Sequence, residues 1–180
     1  MTKAAFETAR LLLREWRESD RVPFAAMNAD PHVMRYFPAV LSAEETDAML
    51  DRNRAHFTKH GFGLWAAEIK ETGDFAGFIS LTVPAFEAHF TPCVEIGWRI
   101  AAQFWNRGLA TEGAGEVLRF AREELRLREV VSFTSVLNAP SRRVMEKIGL
   151  EHNPADDFNH PQLAMEHPLC RHVLYRTGWL

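Results

Sequence analysis

The chain of 180 residues contains only two cysteines, Cys93 and Cys170. They could form one bridge, but such low cysteine usage favours two reduced thiols in the cytoplasm over a disulfide scaffold. No apolar run approaches the ~18 residues of a membrane span. The first residues also lack the apolar segment of a secretory signal. We therefore expect a cytoplasmic protein with no membrane partner.

Positive charge is also not in excess, since the net charge is −3 and the isoelectric point is about 6.2. This balance excludes nucleic-acid binding driven by bulk charge, although it leaves room for a local basic patch. Internal repeats and low-complexity linkers are absent from the sequence. The length suits one domain with a sizeable core. We therefore expect a single domain over residues 1–180.

Hydrophobic periodicity and turn residues predict an alternation of strands and helices. The capping box of Ser42 and Glu45 begins the longest helix, and Gly61 ends it. Ser19 is the predicted cap of an earlier, shorter helix. The predicted strands cover residues 8–16, 64–69, 75–83, 94–100, 130–136 and 172–176. The predicted helices cover residues 19–27, 42–60 and 138–148, together with a helix that has Thr111 and Glu112 in its first turn and reaches Leu125.

The stretch from Val94 to Ala121 combines a strand, a turn with glycine and a helix. Such a junction can bind an anion, because the first N–H groups of the helix are free and its dipole is positive there. Gly108 and Ala110 let the backbone come close to a ligand, and Arg107 adds a cation. A diphosphate fits this pattern, and so does a plain connection between a strand and a helix.

Two motifs resemble those of a known family. Residues 105–110 read Trp-x-x-Gly-x-Ala, which is similar to the acetyl-CoA signature Gln/Arg-x-x-Gly-x-Gly/Ala of the GNAT acetyltransferases. The aromatic residue at Trp105 is typical of the RimJ/RimL-like branch, the ribosomal-protein N-terminal acetyltransferases. Residues 138–150 read Asn-x-x-Ser-x-x-Val-Met-Glu-Lys-Ile-Gly-Leu and resemble the second GNAT motif. Because both motifs occur in the right order and spacing, the chain is identified as a member of this family.

The resemblance implies an α/β (α+β) fold with one GNAT-like domain. It implies a mixed central sheet of about six or seven strands, flanked by about four helices. Acetyl-CoA would lie in the cleft between the fourth and fifth predicted strands. The implied activity is transfer of an acetyl group from acetyl-CoA to a primary amine, by direct attack in a ternary complex.

The resemblance also assigns the binding of acetyl-CoA to particular positions. The diphosphate would bind the N–H groups of residues 107–111, and the thioester carbonyl would bind a backbone N–H near Ile100. The side chain of Asn138 would meet the pantetheine arm. The predicted cofactor-binding residues are Trp98, Ile100, Arg107, Gly108, Leu109, Ala110, Thr111, Asn138 and Ser141.

The acceptor amine must lose a proton before it attacks the thioester. Glu95, on the predicted strand at residues 94–100, is the candidate base. A structural glutamate is the alternative interpretation. Many family members protonate the leaving thiolate with a tyrosine, but Met145 stands at that position. Ser141 is the nearby hydroxyl and the candidate acid, or else only a serine of the first helical turn. A thiol pKa near ~8.5 makes an acid dispensable.

The acceptor itself is open between a protein N-terminus, a polyamine, an amino-sugar drug and a small metabolite. In the family, the loop at residues 33–38 borders the acceptor, so Tyr36 and Arg35 are candidate substrate residues. For Tyr36 a place in the core is the alternative, and for Phe37 we favour the core. Analogy of fold suggests a possible homodimer.

Two other kinds of function remain as alternatives. A catalytically weak acyl-CoA sensor or interaction module would keep the same fold and lose the chemistry. A P-loop enzyme is disfavoured because no Gly-Lys-Ser/Thr follows the turn. The histidines of the C-terminal segment, at positions 152, 160, 167 and 172, form no tight cluster in the sequence. We therefore expect no metal site.

Overall fold

The computed structural model describes residues 6–179. This part of the chain forms nine strands and four α-helices. The strands are β1 (Phe6–Glu7), β2 (Leu11–Arg14), β3 (Leu64–Ile69), β4 (Phe75–Thr82), β5 (Glu95–Ile100), β6 (Val131–Ser135), β7 (Leu150–His152), β8 (Phe158–Asn159) and β9 (Arg171–Thr177). The helices are α1 (Arg21–Ala29), α2 (Ala43–His60), α3 (Leu109–Glu123) and α4 (Ala139–Lys147).

The strands join in one mixed sheet in the order β1-β2-β3-β4-β5-β6-β9-β7, with β8 paired to β9. Only β5 and β6 pair in parallel, and the other described pairs are antiparallel. The predicted α/β class and mixed sheet are therefore confirmed. The sheet has more strands than the six or seven expected, because β1, β7 and β8 have only two or three residues each. Such short segments show no measurable periodicity.

The helices cover opposite faces of this sheet. Ile79 on β4 approaches the backbone of Gly113 on α3, whereas its neighbour Phe78 packs edge-on against Phe24 of α1, with ring centroids 6.0 Å apart. Because successive side chains of a strand point to opposite faces, α3 and α1 lie on different sides. None of the helices within residues 6–179 is long and apolar enough to cross a membrane.

The parallel pair of β5 and β6 is held at a single register position, Glu95 opposite Val131. One residue further along both strands, the hydroxyl of Ser132 donates to the carbonyl oxygen of Ile96 at 2.9 Å. Beyond Ile96 no further register pair joins these two strands in the described part. The gap between the fourth and fifth predicted strands, now β5 and β6, therefore exists as expected.

The local predictions for α2 are confirmed. The N–H of Glu45 donates to the Ser42 hydroxyl at 3.2 Å, and the N–H of Ser42 donates to the Glu45 carboxylate at 2.8 Å. Gly61 ends the helix with φ of 79°. A capping box depends only on residues three apart, so the sequence alone determines it.

Two predicted boundaries are wrong. The strand expected over residues 8–16 is broken by a turn, in which the N–H of Leu11 donates to Thr8 Oγ1 at 2.9 Å. Ser19 does not cap α1, whose N-cap is Asp20 without a capping side chain. Helix α3 begins at Leu109, after Gly108 in the left-handed conformation, and Glu112 lies in its first turn as expected.

Asp20 has a different partner, the buried guanidinium of Arg14. Two parallel hydrogen bonds of 2.7 and 2.9 Å join them, and Glu68 accepts a third bond from Arg14 at 2.7 Å. The hydrogen bond to Asp20 raises the pKa of Arg14 and outweighs the effect of burial. This ion pair ties the start of α1 to β2.

We expect Asp20→Ala to lower the free energy of unfolding by about 3 kcal/mol, because Arg14 would lose one of the two carboxylates that pair with its buried charge. The matched control is Glu18→Ala in the same turn. The Glu18 side chain is exposed and, among residues 6–179, pairs with Arg21 alone. Its loss should therefore change the free energy of unfolding by no more than about 0.5 kcal/mol. Urea unfolding would measure both, and equal effects would contradict the prediction.

Candidate active site

A cavity of about 550 Å³ opens where β5, the start of α3 and the start of α4 meet. One wall is the segment between α1 and α2, and the opposite wall is α4. The lining residues are His32, Val33, Arg35, Tyr36, Phe37, Trp98, Arg99, Ile100, Phe104, Trp105, Asn106, Gly108, Leu109, Ala110, Thr111, Asn138, Pro140, Ser141, Arg143, Val144 and Lys147.

Most of the predicted site residues lie together in this cavity. Those in its lining are Arg35, Tyr36, Trp98, Ile100, Gly108, Leu109, Ala110, Thr111, Asn138 and Ser141. Two predicted residues are not in the lining, Glu95 and Arg107. The side chain of Arg107 turns onto the ring of Phe104, with its guanidinium carbon 5.5 Å from the centroid.

The N-terminus of α3 carries no capping side chain. In contrast, Ser42 caps α2 and Asn138 caps α4. The free N–H groups of the first turn of α3 therefore need an acceptor, and residues 108–111 all line the cavity. Fifteen residues of aligned peptide dipoles add positive potential at this end. The arrangement suits a bound anion.

Arg10 and Glu112 fix the start of α3 to the β1–β2 turn. The Glu112 carboxylate accepts from Thr8 Oγ1 at 2.5 Å, from the Arg10 N–H at 2.8 Å and from Arg10 Nε at 2.7 Å. Burial raises the pKa of Glu112, but these hydrogen bonds outweigh it and lower the pKa below its usual value. Arg10 also donates to the carbonyl of Arg107 at 2.7 Å. The turn before Gly108 is thereby held in place.

Trp105 connects this turn to the loop between α1 and α2. Its indole N–H donates to the carbonyl of Ile100 at 2.6 Å. The ring lies 4.9 Å from that of His32 and 5.2 Å from the guanidinium of Arg35. The tryptophan at the first motif position therefore forms a wall of the cavity.

The main chain of β5 faces the gap beside β6. The carbonyl groups of Val94 and Ile96 point toward β6, since they accept from Val131 N and Ser132 Oγ at 2.9 Å. Main-chain direction alternates along a strand, so the N–H groups of Trp98 and Ile100 point the same way. They lie beyond the last register pair, where β6 offers them no partner. A ligand carbonyl can accept from them.

Asn138 and Ser141 form the opposite edge of the cleft. The Asn138 carboxamide donates to Thr134 Oγ1 at 2.9 Å and to Ser141 Oγ at 3.1 Å. Both of its donor hydrogens are therefore used. The Ser141 hydroxyl accepts this bond, and its own hydrogen has no acceptor within the described range. Met145, at the tyrosine position of the family, is 1% exposed and lies in the core.

Cations dominate the charged lining of the cavity. The cationic side chains are those of Arg35, Arg99, Arg143 and Lys147. No aspartate or glutamate of the described chain lines it. Arg143 and Lys147 are four residues apart on α4, so they share one face of that helix. The sequence shows this spacing. It does not show that this face of α4 lines the cavity, which depends on how the helix packs.

Glu95 lies at the paired end of β5, half-buried. Thr82 Oγ1 donates to its carboxylate at 3.4 Å. Burial raises the pKa of Glu95 to about 8, against the smaller lowering effect of that hydrogen bond. Glu95 and Arg99 are four residues apart on β5, so their side chains lie on the same face of the sheet.

Phe37 corrects one expectation. Phe37 is not in the core: it is 39% exposed, and its ring covers the guanidinium of Arg99 at 4.2 Å. Among the C-terminal histidines, His152 pairs with Asp157 at 2.7 Å, and the tilted rings of His160 and His172 lie 5.0 Å apart. No group of three metal-ligating side chains occurs within residues 6–179.

Comparison with known proteins identifies the family. The model of the acetyltransferase (GNAT) domain matches residues 10–151. The chain belongs to the GNAT acetyltransferases. The recognition from the two sequence motifs is thereby confirmed, and the chain is an acetyl-CoA-dependent N-acetyltransferase, an acyltransferase.

Individual relatives agree with this. FsC-acetyl coenzyme A-N(2)-transacetylase of Aspergillus fumigatus is 32% identical over 182 residues, which covers 96% of this chain and 77% of that protein. An acetyltransferase from Agrobacterium tumefaciens has a similar structure, with a TM-score of 0.77, 24% identity and coverage of 98% and 95%. RimJ of Mycobacterium smegmatis, in complex with CoA-disulfide, has a TM-score of 0.75, 18% identity and coverage of 96% and 85%. The two structures show that the GNAT fold is shared.

We expect Gly108→Arg to abolish acetyl-CoA binding measured by calorimetric titration, because the side chain would fill the space before the free N–H groups of α3. Gly61→Arg is the matched control, since Gly61 has the same left-handed conformation (φ 79° against 76°) and lies outside the cavity. Each variant loses about 1–2 kcal/mol of stability from the positive φ. Equal binding by the two variants would contradict the prediction.

We also expect Arg143→Met/Lys147→Met to weaken acetyl-CoA binding about tenfold, because both cations face a ligand that carries several phosphate charges. Acetyl-dephospho-CoA, which lacks the 3′-phosphate, should lose less affinity. Arg52→Met/Lys59→Met, two exposed changes on α2 that remove the same number of charges, is the control for net charge. An unchanged dissociation constant in the double variant would show that these cations do not contact the ligand.

Proposed function

We propose that the protein acetylates a primary amine by direct attack of the amine on acetyl-CoA within a ternary complex. The observation that carries this proposal is the uncapped N-terminus of α3 beside the gap between β5 and β6. The first offers N–H groups to a diphosphate, and the second offers N–H groups to a thioester carbonyl. The cationic lining without acids supports the same ligand.

The acetyl-CoA site follows from these groups. The N–H groups of residues 108–111 hold the diphosphate, while Trp98 and Ile100 direct main-chain N–H groups into the gap. A hydrogen bond to the thioester oxygen strengthens as negative charge develops there, so these groups stabilise the transition state. Asn138 contacts the pantetheine arm with the free lone pair of its carboxamide oxygen.

Glu95 is the proposed general base. An ammonium ion has no lone pair, so the acceptor must lose its proton before it attacks the thioester carbon. A carboxylate with a pKa of about 8 is matched to this task near neutral pH. Because Glu95 does not line the cavity, it takes the proton through a bound water.

Ser141 is the proposed acid. Its hydroxyl lines the cavity and receives a hydrogen bond from Asn138, which leaves its own hydrogen free to be donated to the departing thiolate. Met145 has no proton to give and is buried. Catalysis therefore does not depend on a tyrosine at that position.

The acceptor is either a protein N-terminus or a small-molecule amine. The relative from Aspergillus fumigatus, an acetyl coenzyme A-N(2)-transacetylase whose match covers 96% of this chain, supports a nitrogen atom as the acceptor. Tyr36 and Arg35 are the proposed contacts of the acceptor, since both line the cavity on the side of α1 and α2. Turnover of an amine panel separates this enzyme from a non-catalytic acyl-CoA sensor, which would bind acetyl-CoA and transfer nothing.

We expect Glu95→Gln to lower kcat/KM by about 10²- to 10⁴-fold, because the variant cannot accept the proton. The wild-type rate should rise with pH as Glu95 ionises and bend near pH 8, where its pKa lies. The variant should lack this bend. An acceptor with an amine pKa near ~10 keeps its own titration out of the range.

The control for this prediction is the affinity for acetyl-CoA, which Glu95→Gln should leave within about twofold, since Glu95 does not line the cavity. A variant that keeps full activity and the same pH profile would exclude Glu95 as the base. A variant that loses acetyl-CoA binding would show a structural role instead.

A further inference from the structure

Arg99 is a buried cation without a carboxylate partner. It is only 9% exposed. One of its terminal nitrogens donates to the Asn28 carboxamide oxygen at 2.6 Å, and its Nε is buried with no hydrogen-bond partner. No acidic side chain among the described residues comes within 4.0 Å of it. Such an arrangement is costly, because removing a charge from water must be compensated by pairing.

Arg14 is a second buried arginine of this chain, and it has the carboxylate partners that Arg99 lacks. Its guanidinium is equally buried, at 6% exposure, but it is paired with Asp20 and Glu68. The pKa of Arg99 is lowered by burial to about 10, so the group is still charged at neutral pH. The unpaired donors of Arg99 are therefore available to a ligand.

The neighbours of Arg99 hold it toward the cavity. Asn28, which is fully buried, donates to Thr46 Oγ1 of α2 at 3.2 Å and is thus fixed in orientation. The ring of Phe37 covers the guanidinium at 4.2 Å, and Phe78 lies beneath at 5.5 Å. Aromatic faces stabilise a cation but supply no negative charge. The guanidinium lines the cavity within this frame.

Arg99 lies on the face of the sheet opposite to α3. It is registered with Phe78, which packs on α1, whereas Trp98 is registered with Ile79, which packs on α3. The diphosphate site at the start of α3 is therefore on the other side. The loop between α1 and α2, with the proposed acceptor residues Tyr36 and Arg35, is on the side of Arg99.

We propose that Arg99 binds a carboxylate of the acceptor, so that the preferred acceptors are amines that also carry a carboxylate, as free amino acids do. This inference rests on the proposed function, since it identifies the class of acceptor for the same site. A guanidinium matches a carboxylate with two parallel hydrogen bonds. Glu95 lies on the same face about 13 Å along the strand. An amine beside Arg99 therefore reaches it through a chain of waters, and the distant amine of an acceptor with well-separated groups comes closer to it.

The test compares amines that differ only in the carboxylate. Suitable pairs are lysine with 1,5-diaminopentane, phenylalanine with 2-phenylethylamine, and histidine with histamine. With wild type, kcat/KM should be about 10- to 100-fold higher for the carboxylate member of the pair that fits the site. In Arg99→Met this ratio should fall to near one, mainly through KM, and Arg99→Lys should restore part of it.

Three controls accompany the comparison. Arg52→Met, an exposed change on α2, alters net charge equally and should keep the wild-type ratio. The thermal midpoint of Arg99→Met should change by only about a few degrees, because removal of a buried charge without a carboxylate partner offsets loss of the hydrogen bond to Asn28. Its dissociation constant for acetyl-CoA should also stay within about twofold of wild type.

The results that would overturn the inference are distinct from those that would overturn the proposed function. If amines are acetylated but the wild type shows no preference for the carboxylate member, or Arg99→Met keeps the ratio, the transferase stands and the inference falls. If Arg99→Met loses acetyl-CoA binding, Arg99 serves the cofactor and the inference also falls. If no amine is acetylated although acetyl-CoA binds, the proposed function fails and the inference fails with it.

Discussion

The separation of two neighbouring strands is the feature on which the site depends. β5 and β6 share one register position, Glu95 opposite Val131, and then diverge. Up to this position the two strands bond to each other. Beyond it, the main-chain N–H groups of Trp98 and Ile100 have no partner on β6. The starts of α3 and α4 lie at the same gap. One interruption of the sheet thus places strand, helix and side-chain donors around one volume.

The charges around this volume are divided between the faces of the sheet. On the side of α3 the positive potential comes from free N–H groups and from the exposed cations Arg143 and Lys147. On the side of α1 it comes from Arg99, which is rigidly held and desolvated. A flexible, solvated cation suits a phosphate at the mouth of the cavity, whereas a buried guanidinium discriminates sharply between ligands. The two faces therefore serve different ligands.

Sequence analysis predicted the local features and missed those that depend on distant neighbours. The Ser42–Glu45 capping box and the Asn138 cap involve residues three apart, so they could be read directly. Most of the residues that the family resemblance assigned to the site line the cavity. Phe37 was misplaced because its burial depends on Arg99, a residue 62 positions later. The importance of Arg99 was missed, because a single arginine on a strand does not show whether a carboxylate lies nearby.

The contact of Arg10 with Glu112 links two segments of the site that are distant in the sequence. The turn that ends at Gly108 is stabilised from the far end of the chain, by a side chain of the β1–β2 turn. The motif is therefore not a self-contained module that could be transplanted with its own strand and helix. A chimaera of two such proteins would need to take the β1–β2 hairpin and the turn that ends at Gly108 from the same parent.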